Sequence, residues 1–416
     1  GKEEDLPKKK KIRRSDILDA GGDLDDFIWK AMRESYDPHT NTVRDLRIDD
    51  RDLPVAENYF QFCSTTAGPS LKMPFARQLW GAYNLLGEYC PRCSPKKFLN
   101  IENVPVDMDP KDLGRKVALL KDGVCPRCSA TKAEMVLSGE LRDYNQLVLI
   151  AGQRAGKSSF TATIAAYYLH RYLKAPRLST ICRGIQDFTP LTFTFVALTA
   201  SRAVKLLWSP FSKIIEAQGS WFQEYFKVLH HAGKMYDKEF FTFATLYYRF
   251  HHKNLDLYPS SPLKRTLRGD TRILGATDEL SWFPYKIVSS SGGVDEDGEE
   301  NDNLNDEEDE RERANADEVH QALENSLATV RTEILSLYKK GISNVPTGIN
   351  LNISSPQSEM DKLSRLLRES SQEESLSLGL RLPTWEISPL YSRDHPIIRD
   401  AYRKSPKRAE RDFGAN

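Results

Sequence analysis

The sequence is short of three features: long apolar runs, net charge and cysteine. No apolar run reaches the roughly 18 residues that a membrane-spanning helix needs, so we expect no membrane partner. The 59 Lys and Arg residues are balanced by 59 Asp and Glu residues, so the overall charge does not indicate a nucleic-acid partner. Only six cysteines occur in 416 residues, which excludes a disulfide framework and is typical of a reducing compartment.

The composition is that of a globular chain with polar additions. Hydrophobic residues make up 39% and charged residues 28% of a chain that is longer than one typical domain. Charge is clustered locally, in the basic run PKKKKIRR at 7–14 and in an acidic run at 294–318. Such runs are usually solvated tails or loops. We therefore expect a loosely ordered polar arm at 1–54 and an acidic insertion at 291–318.

Apolar segments after residue 55 alternate between strand and helix patterns. The run QLVLIA at 146–151 is typical of a buried parallel strand, and the segment after its glycine has helical periodicity. The alternation recurs along the chain, and it predicts an α/β fold with a mostly parallel sheet. The other predicted elements are strands at 191–200, at the start of 271–283 with its tip at Asp278, and in 349–358, a paired ribbon at 241–250 and 255–261, and helices at 75–86, 157–173, 201–217 and 319–337.

With Gly152 and Gly156 as its glycines, the segment AGQRAGKSS resembles the phosphate-loop signature G-x-x-x-x-G-K-[ST]. The glycines allow a tight turn in which backbone N–H groups point at phosphate oxygens. Lys157 supplies a cation for the terminal phosphates, and the Ser158 hydroxyl supplies a ligand for Mg²⁺. The alternative is a glycine turn that only closes a strand, but the predicted strand before and helix after favour an ATP site. Its predicted loop residues are Gly152, Gln153, Arg154, Ala155, Gly156, Lys157, Ser158 and Ser159.

Two further strand ends carry polar pairs. Asp278 and Glu279 follow an apolar strand, where the first acid can hold the water shell of Mg²⁺ and the second can polarise the attacking water. A surface acidic pair is the alternative, and the phosphate loop upstream favours the hydrolytic role. Ser354 and Ser355 form the other pair. They are either a sensor of the γ-phosphate or an ordinary turn before Pro356, and residue chemistry favours neither.

Four cysteines form two C-x-x-C pairs, each within the pentapeptide CPRCS: Cys90, Cys93, Cys125 and Cys128. Four thiolates at this spacing can close a tetrahedral shell around a structural Zn²⁺. Two separate redox pairs or four unrelated buried cysteines are the alternatives, but neither explains two copies of one pentapeptide. The segment 90–128 could contact nucleic acid or serve for protein docking, and the sequence leaves this open. The basic residues concerned are Arg92, Lys96, Lys97 and Arg127.

The order of these motifs resembles that of the ATPase domain of the large terminase subunit, the DNA-packaging motor of tailed bacteriophages. The resemblance covers most of residues 55–416. FARQLW stands where the family has a glutamine-bearing adenine-recognition segment, and LIAGQRAGKSS is similar to the family's phosphate loop. LYPSSPLKRTLRGDTRILGATDE is similar to the approach to the acidic pair, and NISSP is similar to the coupling motif. The late segments LPTWEI and AERDFGAN resemble the approach to a linker.

This resemblance implies a role for each matching residue. Gln78 would contact adenine, Glu279 would be the catalytic base, and the pair Ser354–Ser355 would couple hydrolysis to DNA movement. Arg154 or Arg268 would stabilise the transition state, because a planar guanidinium spreads its charge over phosphoryl oxygens. The implied cofactors are ATP and Mg²⁺, beside the structural Zn²⁺ predicted from the cysteines.

The resemblance also implies a fold, domain boundaries and partners. The fold would be a P-loop NTPase of the ASCE type. The four cysteines, and not the resemblance, predict the zinc-ribbon-like element inserted in it. Residues 55–145 would hold the adenine-recognition segment and the cysteine insertion, 146–360 the ATPase core, and 361–416 a lid or linker toward a nuclease domain absent from this chain. The expected partners are double-stranded DNA, the portal protein, the small terminase subunit and further copies in a ring, in the host cytoplasm.

Two alternatives to a packaging motor are weighed against it. Another P-loop DNA-dependent ATPase, such as a helicase, would be expected to show a second motor lobe, and none is visible after residue 360. A zinc-ribbon nucleic-acid-binding protein that only binds nucleotide would not need the intact pair Asp278–Glu279. The cysteine insertion and the long acidic run are not general features of the resembled family. We predict an ATP-hydrolysing motor without nuclease activity.

Overall fold

The computed structural model describes residues 53–66, 71–236, 239–262, 267, 269–283 and 315–416. Three features predicted from the sequence lie outside the described residues. They are the basic run at 7–14, nearly all of the acidic run at 294–318, and Arg268. Within the described ranges, no helix combines the length and the apolar character needed to cross a membrane.

One eight-stranded sheet forms the centre of the fold. Its strands are β1 (Gln146–Ala151), β2 (Leu191–Val196), β3 (Phe241–Ala244), β4 (Tyr247–Phe250), β5 (Leu255–Ser260), β6 (Thr271–Asp278), β7 (Ile349–Ser354) and β8 (Ser377–Leu382). They stand in the order β3-β4-β5-β2-β6-β7-β1-β8. Neighbours from β5 to β8 pair in parallel, whereas β3 with β4 and β4 with β5 are antiparallel. The predicted α/β class with a mostly parallel sheet is confirmed.

Helices cover both faces of the sheet. Beside the short helices Tyr59–Gln61 and Leu178–Ile181, the α-helices of the described residues are α1 (Ala76–Leu85), α2 (Pro110–Lys116), α3 (Lys132–Leu137), α4 (Lys157–Lys174), α5 (Ala200–Ala203), α6 (Ser209–Ile215), α7 (Trp221–Tyr236), α8 (Ala316–Lys339), α9 (Lys362–Ser370), α10 (Thr384–Ile387), α11 (Pro396–Lys404) and α12 (Pro406–Gly414). Alternate residues of β1 divide between the two cores. Leu147 and Leu149 pack in the core that contains α4, and Val148 and Ile150 pack with residues of α8 and α9. Because both faces are covered, β1 is apolar along its whole length.

Helix α8 shows how the local sequence sets an element. Asn315 and Glu318 form a capping box, in which each side chain accepts a hydrogen bond from the backbone N–H of the other. The box satisfies two backbone donors that would otherwise be free at the start of the helix. The apolar stripe predicted for this helix is confirmed, because every member is buried: Val319, Leu323, Leu327, Val330, Ile334 and Leu337.

Two parts of the sheet differ from the sequence predictions. The segment 241–250 is not one strand but the β3–β4 hairpin, so that β4 alone pairs with β5. Strand β8 has no counterpart among the predictions. It lies at the sheet edge beside β1, and it carries Gly379 and the exposed Arg381 instead of a continuous apolar run. The sheet therefore continues beyond residue 360, the expected end of the ATPase core.

Candidate nucleotide site and candidate metal centre

The loop that resembles a phosphate loop joins the end of β1 to the start of α4. Gly156 precedes α4 with a φ of +80°, in the left-handed region that favours glycine. Gly152 is needed for another reason, because a Cβ there would overlap the Thr384 hydroxyl and the Phe413 carbonyl oxygen. Only three residues separate the two glycines. Ala151 therefore takes the first position of the signature G-x-x-x-x-G-K-[ST], which corrects the assignment of Gly152 to that position.

Lys157 is the first residue of α4, and its ammonium group lies beside the loop. It donates to the carbonyl oxygens of Ala151 and Gly152, both at 2.9 Å, and to the Ser355 hydroxyl at 3.1 Å. Burial lowers the pKa of Lys157 to about 8, while the charge of Asp278 acts in the opposite sense. A nearby anion stabilises an ammonium group that is shielded from water. The position of Lys157 therefore suits the terminal phosphates of a nucleotide.

Ser158 and Asp278 come from positions 120 residues apart and meet at the carboxyl edge of the sheet. The Ser158 Oγ lies 3.1 Å from Asp278 Oδ2. Asp278 ends β6 in a buried position, and burial raises the pKa of its carboxyl to about 6 despite the opposing charge of Lys157. Two oxygens this far apart fit neighbouring positions around Mg²⁺, whose ligands lie about 2.1 Å from the ion. The two residues thus fit the expected Mg²⁺ site.

Glu279 directly follows Asp278 and adopts left-handed backbone, with a φ of +60°. Its N–H donates to Asp278 Oδ1 at 2.7 Å, and its carboxylate turns to Arg202. Arg202 Nη1 lies 2.5 Å from Glu279 Oε2, in an ion pair whose arginine side chain is about half exposed. The predicted catalytic base is therefore held by a cation in this conformation.

Arg202 is a site residue that the sequence reasoning missed. It belongs to α5, which follows the end of β2 and is capped by Thr199. Its only sequence signal is a basic residue soon after an apolar strand, and that signal is common. It becomes informative once the sheet order is known, because β2 and β6 are neighbours and their carboxyl ends meet.

The serine pair at the end of β7 divides into two roles. Ser354 is buried and donates its hydroxyl hydrogen to the Ser355 carbonyl at 2.8 Å, so it stays within its own turn. The Ser355 hydroxyl instead contacts the Lys157 ammonium group. Of the two, Ser355 presents its hydroxyl to the phosphate loop. A sensing or coupling role for either serine stays a prediction.

Gln78 lies on α1, and both ends of its amide are occupied. Its Oε1 accepts from the Phe75 N–H at 3.0 Å, and its Nε2 donates to the Ala155 carbonyl at 3.0 Å. The same Nε2 would lie 2.9 Å from a Cβ on Gly156, which gives that glycine a second reason to lack a side chain. The structure brings Gln78 to the phosphate loop. The contact with adenine that the resemblance implies stays a prediction.

Arg154 is exposed and has left-handed backbone, with a φ of +64°. Its guanidinium lies against Tyr391, with Nη1 3.5 Å from the hydroxyl and the group 5.9 Å from the ring centroid. Arg154 thus contacts the C-terminal part of the chain in this conformation. A transition-state role for Arg154 stays a prediction, as does the rival role of Arg268, which lies outside the described residues. Ser159 is exposed on the first turn of α4.

The C-terminal segment holds the first half of the phosphate loop. The Thr384 hydroxyl donates to the Gln153 carbonyl at 2.7 Å, and the Gln153 N–H donates to the Asp412 carbonyl at 2.5 Å. The Gly152 N–H donates to the carbonyl of Leu382, the last residue of β8, at 3.3 Å. Three backbone groups of the loop are therefore fixed by residues that lie more than 200 positions later in the chain.

A second site lies away from the loop, where four cysteine sulfur atoms gather within 4.8 Å of one another: Cys90, Cys93, Cys125 and Cys128. The Cys90 and Cys128 Sγ atoms are 3.7 Å apart. A tetrahedral shell with Zn–S bonds of about 2.3 Å has edges of about 3.8 Å, so this separation fits zinc. The predicted four-cysteine cluster is confirmed, and its donor set fits a closed structural Zn²⁺ site.

The two copies of CPRCS make the same turn. The Ser94 N–H donates to the Cys90 carbonyl at 3.0 Å, and the Ser129 N–H donates to the Cys125 carbonyl at 2.9 Å. We name residues 88–141 the cysteine element. A small apolar cluster surrounds its cysteines and holds, beside the two buried cysteines, Ala118, Leu120, Ala130, Met135 and Leu141. Other buried apolar residues of the element pack in the main core: Phe98, Val104, Leu113, Val117 and Ala133.

The arginines of the two turns are engaged within the cysteine element. Arg92 lies 2.5 Å from Glu140 and 3.1 Å from Glu134, so its charge is matched by two carboxylates. Arg127 is exposed and donates to the Cys93 carbonyl at 3.1 Å. Arg92 is thus poorly placed for a contact with a nucleic-acid phosphate. The choice between nucleic acid and protein as the partner of this element stays open.

No protein-family model and no curated protein matches the sequence. The chain is similar to two solved structures of the large terminase ATPase domain of Thermus phage P74-26. The mutant form has 11% identity and a TM-score of 0.33 over 67% of this chain and 92% of that chain. The other form has 12% identity and a TM-score of 0.33 over 67% of this chain and 91% of that chain.

The chain is also similar to the large terminase of a thermophilic bacteriophage. There the identity is 11% and the TM-score 0.32, over 63% of this chain and 45% of that chain. These values are too low for the similarity to support a statement about activity.

Proposed function

We propose that the chain is the ATP-hydrolysing motor domain of a viral large terminase that drives double-stranded DNA into a procapsid. One observation carries the ATPase part. The Ser158 hydroxyl lies 3.1 Å from the Asp278 carboxylate, and the Lys157 ammonium lies beside the same loop. An ammonium group, a hydroxyl and a buried carboxyl thus meet at one sheet edge. This is the set of groups that phosphoryl transfer requires.

In this proposal Lys157 exchanges its contacts with two loop carbonyls for oxygens of the terminal phosphates. The exchange is favourable because a buried ammonium group is poorly solvated where it stands. Ser158 and Asp278 would hold Mg²⁺, which when bound neutralises charge on the β- and γ-phosphates. Asp278 must be ionised for this role. Burial raises its pKa to about 6, so the carboxyl is mostly ionised at neutral pH.

Glu279 is the proposed general base. It has to leave Arg202 before its carboxylate can take a proton from the attacking water. The new bond then joins the water oxygen to the γ-phosphorus, and the bond to the β–γ bridging oxygen breaks, so the products are ADP and inorganic phosphate. The pairing with Arg202 supports a resting conformation in which hydrolysis is slow until the carboxylate is released.

The partners in this proposal come from the motif resemblance. They are double-stranded DNA, the portal protein and the small terminase subunit, with several copies of the chain in a ring in the host cytoplasm. Structural zinc in the four-cysteine cluster belongs to the same proposal, supported by the separation of 3.7 Å between two of the sulfur atoms. The adenine contact of Gln78 and the transition-state role of Arg154 or Arg268 complete it.

The test is the substitution Glu279→Gln, which keeps size and polarity but removes the base. We expect kcat for ATP to fall about 10²- to 10⁴-fold, the usual contribution of a general base, while nucleotide affinity persists. The exposed Glu373→Gln is the matched control and should hydrolyse ATP as the unmodified chain does. Stimulation of turnover by a portal protein or small terminase would support the motor role. Normal turnover in Glu279→Gln would overturn the assignment of the base.

A further inference from the structure

The residues just before the first CPRCS turn are hydrogen-bonded to α4, the helix that follows the phosphate loop. Glu88 stands two residues before Cys90, and its carboxylate accepts hydrogen bonds from the Tyr59 N–H, at 2.8 Å, and from the Tyr167 hydroxyl. Tyr167 is buried on α4, the helix that begins with Lys157. The residue two positions before Cys90 is therefore hydrogen-bonded to the helix that begins with Lys157.

The other side of the same turn is fastened to α1. The Phe98 carbonyl accepts from Trp80 Nε1 at 2.9 Å and from the Tyr83 hydroxyl at 3.3 Å. The Val104 carbonyl accepts from Arg77 Nε at 2.9 Å. All three donors belong to α1, so the segment 98–104, which follows Cys93 and consists largely of 3-10 turns, is held along the length of that helix.

The second CPRCS turn reaches the far end of α1. Lys132, four residues after Cys128, donates from Nζ to the carbonyl of Leu86, the residue that follows α1, at 2.8 Å. Lys132 is buried, and its charge is matched by Asp143 at 2.7 Å. Both halves of the cysteine element thus bear on α1, one along the helix and one at its end.

Helix α1 in turn holds the phosphate loop through Gln78. The Gln78 amide donates to the Ala155 carbonyl and lies against Gly156, while its own oxygen is fixed by the Phe75 N–H. A shift of α1 therefore moves a hydrogen bond on the residue just before Gly156. The N–H groups of this part of the loop are the ones that would meet a phosphate.

We propose that the cysteine element is a metal-dependent positioning device for the phosphate loop, which acts through α1 and Gln78. The inference rests on the proposed function, because it assigns the loop to a nucleotide. The apolar cluster around the cysteines is small, so four sulfur–metal bonds supply much of what holds the two CPRCS turns together. Zinc occupancy sets the position of the Phe98 and Val104 carbonyls, and with them the position of α1. Gln78 transmits this position to the loop and is a positioning residue.

The experiment measures the affinity of the chain for mant-ATP with and without zinc. A zinc-selective chelator followed by gel filtration removes the metal, and stoichiometric Zn²⁺ restores it. We expect zinc removal to raise Kd about 3- to 10-fold, the size of effect that loss of one hydrogen bond has. Zinc-loaded Gln78→Ala should show a similar rise, and removal of zinc from it should add less than about 2-fold, because the two changes act on one path.

Arg92→Gln is the control, since Arg92 belongs to the cysteine element but not to the path to α1. It should leave Kd unchanged. An equal effect of zinc removal in the unmodified chain and in Gln78→Ala would overturn the path through Gln78. An unchanged Kd in folded, zinc-free protein would overturn the whole inference.

Two further measurements keep the inference testable in every case. The double variant Trp80→Phe with Tyr83→Phe keeps all four cysteines but removes both donors to the Phe98 carbonyl. If the zinc-free chain unfolds, this zinc-loaded variant decides: a raised Kd supports the path, and an unchanged Kd overturns it. Amide hydrogen exchange of residues 152–158 should speed up when zinc is removed. The exchange rate tests the inference even if the zinc-loaded chain binds no mant-ATP. That outcome would contradict only the proposed function.

Discussion

The nucleotide site and the cysteine element differ in how their groups are brought together. The nucleotide site draws on the ends of four neighbouring strands, β1, β2, β6 and β7, and pairs Ser158 with a residue 120 positions away. The cysteine element draws on two copies of one pentapeptide, with Cys90 and Cys128 only 38 positions apart. The first site is assembled by the whole sheet, whereas the second depends on a local repeat and a metal. The first should therefore keep its shape without a ligand, and the second should not.

The two sites also differ in what their polar groups do without a ligand. In the nucleotide site each charged group has a protein partner, as in the contacts of Lys157 with Ser355 and of Glu279 with Arg202. In the cysteine element the sulfur atoms face one another, an arrangement that a cation stabilises. Binding at the nucleotide site must break existing contacts, but binding at the cysteine element completes a structure.

Among the variants that test this comparison, Cys125→Ser should change the free energy of unfolding most. Loss of one thiolate opens the metal shell, and a metal present at 100 to 1,000 times its Kd contributes about 3 to 4 kcal/mol to the free energy of unfolding. We expect a loss of that size in urea denaturation, together with loss of zinc from metal analysis. Cys182→Ser is the control, because Cys182 is buried outside the four-cysteine cluster, and this variant should keep its full zinc content. Equal stability of Cys125→Ser and the unmodified chain would contradict the structural role.

A smaller effect of opposite sign is expected from Asp278→Asn. Burial raises the pKa of Asp278 from 3.8 to about 6, so the ionised carboxyl destabilises the folded chain above pH 6. The contribution of Asp278 to the free energy of unfolding is greatest below pH 3.8, and it declines as the pH rises through 6. Asp278→Asn should therefore raise the free energy of unfolding by at most about 3 kcal/mol at pH 7.5 without Mg²⁺, although it abolishes hydrolysis.

The measurement for Asp278→Asn is urea denaturation at a series of pH values. The gain in stability should shrink steadily as the pH is lowered from 6 toward 4. The exposed Asp107→Asn is the control and should show no such trend. A gain that does not change with pH would mean that the buried charge is not its cause.

A still smaller effect is expected from Arg202→Gln, which removes the cation that holds Glu279. Because the arginine is half exposed, the ion pair is worth at most about 1 kcal/mol, and its loss should raise basal ATP turnover by about 2- to 5-fold. Arg202→Lys keeps the charge and should leave turnover close to that of the unmodified chain. A fall in turnover for Arg202→Gln would show that Arg202 assists the reaction instead of restraining the base.

The smallest effect is expected from Arg92→Gln in the cysteine element. Arg92 and its partners Glu134 and Glu140 are all well exposed, and exposed ion pairs contribute little to stability because water and salt screen their charges. The midpoint temperature of thermal unfolding should therefore change by a few degrees at most. A large loss of stability would mean that ion pairs, and not sulfur–metal bonds, hold the cysteine element together.

Several elements of the fold could be predicted because their pattern is strong in a single segment. Strand β1 is apolar throughout and has the predicted bounds at 146–151. The stripe of α8 repeats over many turns, and every predicted member is buried. Strand β8 could not be predicted in the same way, because an edge strand is covered on fewer sides and tolerates residues such as Gly379 and Arg381.

The candidate sites show the same distinction between features that a local pattern carries and features that depend on tertiary packing. The sequence by itself determined the cysteine cluster and the chemical identity of Lys157, Ser158 and the acidic pair, since short-range patterns carry them. Only the tertiary structure decided that Glu279 pairs with Arg202, that Gln78 is held on the phosphate loop, and that Arg154 lies against Tyr391. These contacts depend on the order of strands in the sheet and on the packing of distant segments. Burial and close approach between such segments leave no periodic trace in the chain, so no local pattern could reveal them.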